Sequence, residues 1–425
     1  MTEPGPVSQR YAWMIVGLLW PACLINYIDR QVVFSIFPAL RRDIGFTTTQ
    51  LGLIGAVFIW LYSFSSLFLG RVTDLFRRDR LIIASLLMWS AASLGTGMSS
   101  SVGAVLFWRG IMGVVEAMYL PAALAVIGVL HPHRTRSRAL SLHCTAQMTG
   151  IVVGGWGGGW LADHIGWRST FALLSLAGVA YAPVLFLGLR GLPRPSDKTV
   201  VTPVPYRIVR SRCYLALALA FSAFCLMLWM IYAWFPNFLF QRFRLSLAES
   251  GLTATMYLQT STIIGVLGLG ALADWAATRL PGARFYIVAL GILLSAPFAY
   301  LSFRLSSLAS VKLASAGFGF FAGGLHANLA SAAYDVIHQR DYGIGVGALN
   351  MIGGAVGGVG ILFAGIWSQA IGIPAMMGWA ALISAIATAF LVVVTARYFR
   401  EEHRSAQTAN YPVLRRQNST GSTNL

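Results

Sequence analysis

The sequence predicts an all-α membrane protein with twelve transmembrane helices arranged in two pseudo-symmetric six-helix bundles. Three observations predict it. Of 425 residues, 57% are hydrophobic and only 11% charged, a balance that would expose far too much apolar surface to water in a soluble globule. Apolar runs able to cross about 30 Å of hydrocarbon, which takes roughly 20 helical residues, recur along the whole chain. A short motif also repeats, GRVTD at 70–74 and GALAD at 270–274, at an offset of 200 residues, as in a duplicated unit.

The twelve runs lie near 13–37, 50–70, 81–100, 103–130, 139–162, 170–189, 213–240, 250–272, 285–303, 309–334, 344–368 and 373–396. Between the sixth and seventh stands RGLPRPSDKTVVTPVPYRIVRSR, rich in Pro and charge, which reads as a linker. The expected organisation is an N-terminal bundle over 1–190, a cytoplasmic linker over 191–212, a C-terminal bundle over 213–396 and a polar, disordered cytoplasmic tail over 397–425. Two such bundles, related by an axis along the membrane normal, are expected to hold a site at their interface near mid-membrane. GIVVGGWGGGW (150–160) and GALNMIGGAVGGVG (347–360) fall inside spans five and eleven, where small residues let backbones approach closely. They are not read as nucleotide-binding loops.

The formal charge of +17 raises nucleic acid as a partner, but the distribution of basic residues decides against it. With a cytoplasmic N-terminus, segments on that side carry 22 Lys and Arg, the opposite side seven, and Arg30 and Arg109 lie within spans. This asymmetry is the positive-inside pattern, with both termini cytoplasmic and the loops facing anionic lipid. The four cysteines show no spacing of a metal site or disulfide framework. The first apolar run is too long for a signal-peptide core, so no cleaved targeting segment is expected. No H-E-x-x-H and no nucleophile paired with a base points to an enzyme, and no cofactor or metal is implied. HPHR at 131–134 reads as solvated basic loop.

Ionisable residues inside the spans are few: Asp29 and Arg30, Arg109 and Glu116, His143, and His326. Translocon scales put each charge at roughly 3 kcal/mol at a helix centre, so such residues normally face a wet cavity or a partner. Arg30 shares a helical face with Asn26 and Tyr27, whereas Asp29 stands about 100° away and faces a neighbouring helix. Arg109 and Glu116, two turns apart, share a face. A plain structural ion pair would explain these charges alone. It would not need the hydroxyl, amide and imidazole groups of Tyr27, Tyr62, Gln147, His326, Asn328 and Asn350, a set suited to a hydroxylated anion, although each taken singly serves equally as a helix-to-helix hydrogen bond.

These residues resemble the major facilitator superfamily and, within it, the anion:cation symporters that include bacterial sugar-acid carriers for galactonate and hexuronate. The resemblance spans about residues 11–400. It rests on NYIDR in span one, Tyr62 eight residues before Gly70, GRVTDLFRRDR after span two, RGIMGVVEAMYLP (109–121), Gln147, ADHIGWRSTF (162–171), WFPNFL (234–239) and ALNMIGG (348–354). It implies that Arg30 binds a substrate carboxylate, with Tyr27, Tyr62, Gln147, Asn350, His326 and Asn328 lining the pocket and Asp29 and Glu116 as proton-linked acids. Gly70, Asp74, Arg78, Arg109 and Asp274 would serve conformational gating. Two departures stand out: Leu75 and Arg77 replace the usual Arg and second Gly of the loop motif, and Gly155 stands where antiporters carry Pro. The implied function is proton-coupled uptake of a small organic anion by a monomer in a bacterial inner membrane. The alternatives are a proton antiporter exporting a drug or metabolite, a sodium-driven carrier and a transporter-like receptor.

Overall fold

The computed structural model describes residues 8–192 and 206–410. Its helices are α1 (Gln9–Ser35), α2 (Phe37–Ile44), α3 (Thr48–Leu75), α4 (Arg78–Gly97), α5 (Val102–Glu116), α6 (Tyr119–Leu130), α7 (His133–Ile165), α8 (Trp167–Gly188), α9 (Tyr206–Arg210), α10 (Arg212–Phe243), α11 (Leu247–Ala277), α12 (Ala283–Ser302), α13 (Leu308–Tyr334), α14 (Tyr342–Ile371) and α15 (Ile373–Asn410). Among the described residues, eleven stretches are long and apolar enough to cross a membrane, with α5 and α6 counting as one. The remaining expected span is α7, 33 residues long, whose glycines and polar first turns dilute its hydropathy.

Local chemistry explains where the helices depart from the sequence reading. The run 103–130 is broken after Glu116 because Pro121 has no N–H to give residue 117 and its ring crowds that carbonyl. Beside the break, the Val115 carbonyl accepts both Met118 N (3.4 Å) and the Ser85 hydroxyl (2.6 Å). Between spans one and two the chain forms the short amphipathic helix α2, which ends on Gly45 in the left-handed region at φ 82°, where a side chain would be strained. The linker closes with α9. The expected polar tail is helical as far as Asn410, and Glu402 explains its docking: the carboxylate accepts from Ser211 Oγ (2.6 Å), Arg212 N (2.9 Å) and Cys213 N (3.1 Å), capping the start of α10. Residues 1–7, 193–205 and 411–425 lie outside the described residues, and with them most of the predicted linker and the end of the tail.

The chain forms two compact units. One comprises residues 1–201, 229–259 and 358–373, the other 202–228, 260–357 and 374–425. In the first, α1 lies along the glycine face of α7. A Cβ at Gly150 would come within 2.6 Å of Tyr27 Cβ, and one at Gly154 within 2.9 Å of Ile28. Further along α7, a side chain at Gly155 would meet Gly251 O at 2.8 Å, and one at Gly251 would collide with Gly155 O. The α7–α11 crossing is thus close enough for Asp163 Oδ2 to accept from Ala248 N (3.1 Å), while Ser35 Oγ at the end of α1 donates to Gly155 O (3.1 Å). Ser246 and Glu249 make a reciprocal capping box at the same helix start. Trp234, fully buried, donates to Ile361 O (3.1 Å), and Gln369 reaches Thr48 Oγ1 (3.2 Å). Trp234 is therefore a packing residue rather than a pocket aromatic. His131, expected in a solvated loop, is buried against Trp13 with Nε2 3.3 Å from Ala12 O.

Beyond the opposite end of α1, Asp43 of α2 accepts from Arg42 Nε (2.8 Å) and Trp167 Nε1 (2.9 Å). The Arg42 bond, with help from Trp167 and the nearby Arg168, holds the Asp43 carboxyl below the ordinary carboxylate range. In the second unit, Phe224 stacks on Phe318 with centroids 6.0 Å apart. Arg284, at the start of α12, bridges Asp335 (2.9 Å) and Asp274 (3.4 Å), and His403 Nδ1 lies 2.7 Å from Asp335 O. Burial raises the Asp335 carboxyl, and Arg284 opposes that rise.

A candidate anion site built on Arg30

The site begins with the last third of α1. Arg30 is 8% exposed and Asp29 and Glu116 are fully buried, so the question raised by Asp29 and Arg30 in an apolar run has a structural answer in their neighbours. Arg30 Nε donates to Glu116 Oε2 at 2.6 Å, a charge-assisted bond in a low-dielectric surround. Aromatic rings cover the guanidinium: its carbon lies 4.1 Å from the Tyr62 centroid, 4.6 Å from Tyr27 and 5.4 Å from Phe58. Cation–π contacts of this kind contribute roughly 0.5–2 kcal/mol each and fix the plane of the group. Phe58 and Tyr62, four residues apart on α3, stack on each other at 6.0 Å as an i, i+4 pair should. Gly150 is what lets Tyr27 lie against α7.

Asp29 points away from Arg30, as its position on the helix predicts. Its Oδ1 accepts from Ser93 Oγ of α4 at 2.8 Å, and the same hydroxyl lies 3.4 Å from Phe171 O. Arg109, fully buried, lies with its guanidinium carbon 4.6 Å from the Phe58 centroid, donates to the Asp29 backbone carbonyl at 3.4 Å and contacts Met112 Sδ at 3.0 Å. Phe58 thus neighbours both guanidiniums. Arg109 forms no ion pair with either acid among the described residues. Several buried polar atoms here have no protein partner: Asn26 Nδ2, Asp29 Oδ2, Glu116 Oε1, and Arg109 Nε and Nη2. Such atoms are uncommon in native interiors and concentrate where function requires them.

The structure therefore brings Tyr27, Asp29, Arg30, Tyr62, Arg109 and Glu116 together within the first unit. Gln147 is half-buried on α7 in the same unit. Gly70 and Asp74 fall in the last turns of α3, whose side chains are outside those described, and Arg78 opens α4 half-buried. In the second unit, His326 is exposed, with its ring edge-on to Phe224 at 6.0 Å, and Asn350 is exposed on α14. Asn328 is buried and its amide donates to Gly324 O of its own helix at 2.9 Å. Asp274 pairs with Arg284. Phe58 and Ser93, central to the geometry, are absent from the sequence-based set. Phe58 has one usable signal, its place four residues before Tyr62. Ser93 has none, being one serine of several on an apolar helix.

A polytopic all-helical chain that holds two cations and two acids inside its membrane-spanning region is of the class that moves solutes across membranes. The chain belongs to the Major Facilitator Superfamily, whose family model matches residues 19–361. It is therefore a transporter rather than an enzyme. It is 30% identical over 326 residues to the human protein spinster homolog 1, an alignment covering 70% of this chain and 61% of that protein. It is 25% identical over 303 residues to an MFS-type efflux pump of Mycolicibacterium smegmatis (70% of each). It is 24% identical over 386 residues to a probable galactarate/D-glucarate transporter of Bacillus subtilis (82% of this chain, 84% of the other). The crystal structure of a bacterial homolog of the human lysosomal transporter Spinster shares the fold, with a TM-score of 0.82 at 19% identity over 93% of this chain and 99% of that one.

Proposed function

We propose that the chain is a proton-coupled symporter that takes up a small hydroxylated organic anion, a sugar acid or related carboxylate, by alternating access. The observation that carries the reading is Arg30: a nearly buried guanidinium whose faces are covered by Tyr27 and Tyr62 and whose Nε is held by Glu116 at 2.6 Å. A carboxylate entering the site competes with Glu116 for that cation. Protonating Glu116 weakens the internal pair and releases Arg30 to the guest, so proton and anion bind cooperatively. The tyrosine hydroxyls offer hydrogen bonds to a hydroxylated substrate, with Gln147 in the same unit. The name of the Bacillus subtilis relative, a transporter of galactarate and D-glucarate, supports the substrate class.

The same reading has the protein in a bacterial inner membrane, and the distribution of its basic residues supports cytoplasmic termini. A monomer suffices, because both halves of the path are in one chain. Asp74 and Asp274, in repeated motifs, would bias the equilibrium between access states, Asp274 through its Arg284 pair. The test is uptake of labelled sugar acids into liposomes with and without an inward proton gradient, alongside thermal shifts with an acid panel at two pH values. Accumulation driven by the gradient, with binding that strengthens as pH falls, is expected; indifference to every anion would end the proposal. The relation to an efflux pump favours a second reading, proton antiport of a drug or metabolite. Counterflow of substrate against inward protons would select it.

A further inference from the structure

We propose that Arg244, with Arg41 and Arg242, forms a positively charged rim that captures anionic substrate before it reaches the buried site. The inference rests on the proposed anion reading and adds residues that the buried site does not use. They lie at one end of the first unit, which contacts gather from several segments. Asp43 of α2 meets Trp167 at the start of α8, and Arg168 donates to Ser99 O after α4. Asp163 at the end of α7 meets Ala248 N of α11, and Gln369 near the end of α14 reaches Thr48 of α3. In the orientation that the basic loops support, this end is the outer face. It carries five arginines, Arg41, Arg42, Arg168, Arg242 and Arg244, against three carboxylates, a net charge of +2.

Arg244 separates this rim from ordinary surface charge. It stands just past α10 with φ 53°, in the left-handed region where a side chain is strained. The other positive-φ positions among the described residues, Gly45, Gly166, Gly282 and Gly372, are all glycine. The chain thus keeps an arginine where helix termination favours glycine, and such outliers concentrate at functional positions. A favourable cation at the α10 C-terminus does not explain it, because Arg242 in the last turn already supplies one. The charges nearby are also sorted by sign. Each carboxylate is turned to the protein: Asp163 accepts from Ala248 N, Glu249 from Ser246 N, and Asp43 from Arg42 and Trp167. The cations are left to solvent. Arg242 and Arg244 are exposed with no hydrogen bond, ion pair or ring contact to their side chains among the described residues, and Arg41 donates to the Thr48 hydroxyl rather than to an acid. A potential of this sign raises the local concentration and entry rate of an anion, more for a dianion than a monoanion, and salt screens it.

The experiment is initial-rate uptake into right-side-out membrane vesicles carrying the full chain, in sucrose medium at low and ordinary salt, with galactarate as the dianion probe and galactonate as the monoanion. For a guanidinium about 10 Å from a dianion in water, Arg244→Gln should lower uptake at limiting substrate about threefold at about 10 mM salt and about 1.5-fold or less at about 150 mM. Galactonate should lose less than about twofold at the lower salt, and the rate at saturation should not change for either acid. Arg244→Lys should keep wild-type uptake, since steering needs the charge and not the planar fork. Arg244→Gly should match Arg244→Gln in uptake yet melt no lower than the wild type, because glycine relieves the strain. Unchanged uptake in Arg244→Gln, a loss equal at both salts or for both acids, a lowered rate at saturation, or an Arg244→Lys protein as impaired as Arg244→Gln would overturn the rim while leaving an anion carrier in place. Wild-type vesicles that take up neither acid, nor any other of the panel, would remove the anion reading and the rim with it.

Discussion

Arg30→Met tests the anion site most directly, and the structure sets its size. The guanidinium contributes one charge-assisted bond to Glu116 at 2.6 Å and, in the proposal, at least one to the substrate carboxylate. A hydrogen bond to a charged group is worth about 1.5–3 kcal/mol net, so loss of the substrate contact should weaken binding by about 10- to 150-fold. The single substitution does more than that. It leaves Glu116 fully buried and unpaired, a change that costs about 3–5 kcal/mol when one member of a buried pair is removed, and the protein should melt earlier. Coupling it with Glu116→Gln removes the stranded charge. The double variant should regain thermal stability while its binding of sugar acids stays weak and loses the pH dependence supplied by Glu116. Arg30→Lys should fall between, since an ammonium keeps the charge but not the planar fork between Tyr27 and Tyr62. Calorimetric or thermal-shift titration of the purified variants decides it. A double variant that binds within about threefold of the wild type, with the same pH slope, would refute the reasoning.

Other contacts give separate tests. Gly251→Ala places a Cβ into Gly155 O, and overpacking of this kind should destabilise the α7–α11 crossing by about 1–3 kcal/mol, read as a lower melting temperature and lost uptake. Glu402→Ala removes the cap on α10 formed with Ser211, Arg212 and Cys213; loss of a cap costs about 1 kcal/mol, and amide exchange in the first turn of α10 and the last of α15 should rise about fivefold. For Asp43, held low by Arg42, the folded carboxyl binds protons less readily than the unfolded one. Its stabilisation is therefore present above the ordinary carboxylate pKa of about 4 and is lost as pH falls through the lower folded value. Melting curves of Asp43→Asn should be flatter than wild type over that acid limb.

Periodicity and polarity made the spans legible, because twenty consecutive apolar residues have few alternatives to a membrane helix. The orientation of Asp29 toward a neighbouring helix was legible too, since adjacent residues on a helix diverge by about 100°, and the structure sets Ser93 there. What the chain concealed is of two kinds. Some of it depends on long-range packing: nothing in the order of residues says that Phe58 lies between Arg30 and Arg109, or that Glu402 returns to cap a helix about 190 residues earlier. The rest was local but overlooked. A proline at 121 disfavours a continuous helix through 117, and Phe37, Ala39, Leu40 and Ile44 beside Arg41, Arg42 and Asp43 fit a short amphipathic helix as well as a loop.

Pro121 also shows how residues with no polar side chain shape the charged site. The break that follows Glu116 leaves that carboxylate at the last residue of α5, where it meets Arg30, while Ser93 of α4 holds Asp29. Gly150 does the same for Tyr27: without a Cβ, α7 can approach α1 closely enough for the ring to lie flat over the guanidinium. The cation is thus held from the sides by rings, at Nε by an acid that a proton can neutralise, and in position by backbone features that touch no ligand. Buried charges in a bilayer are costly, and this chain keeps them tolerable by balancing two against two. With both acids ionised such a set is neutral, and a charged guest upsets that neutrality. In the proposed function, the same balance that makes the charges compatible with the fold would make them responsive to an anion, and would tie proton uptake to substrate through electrostatics.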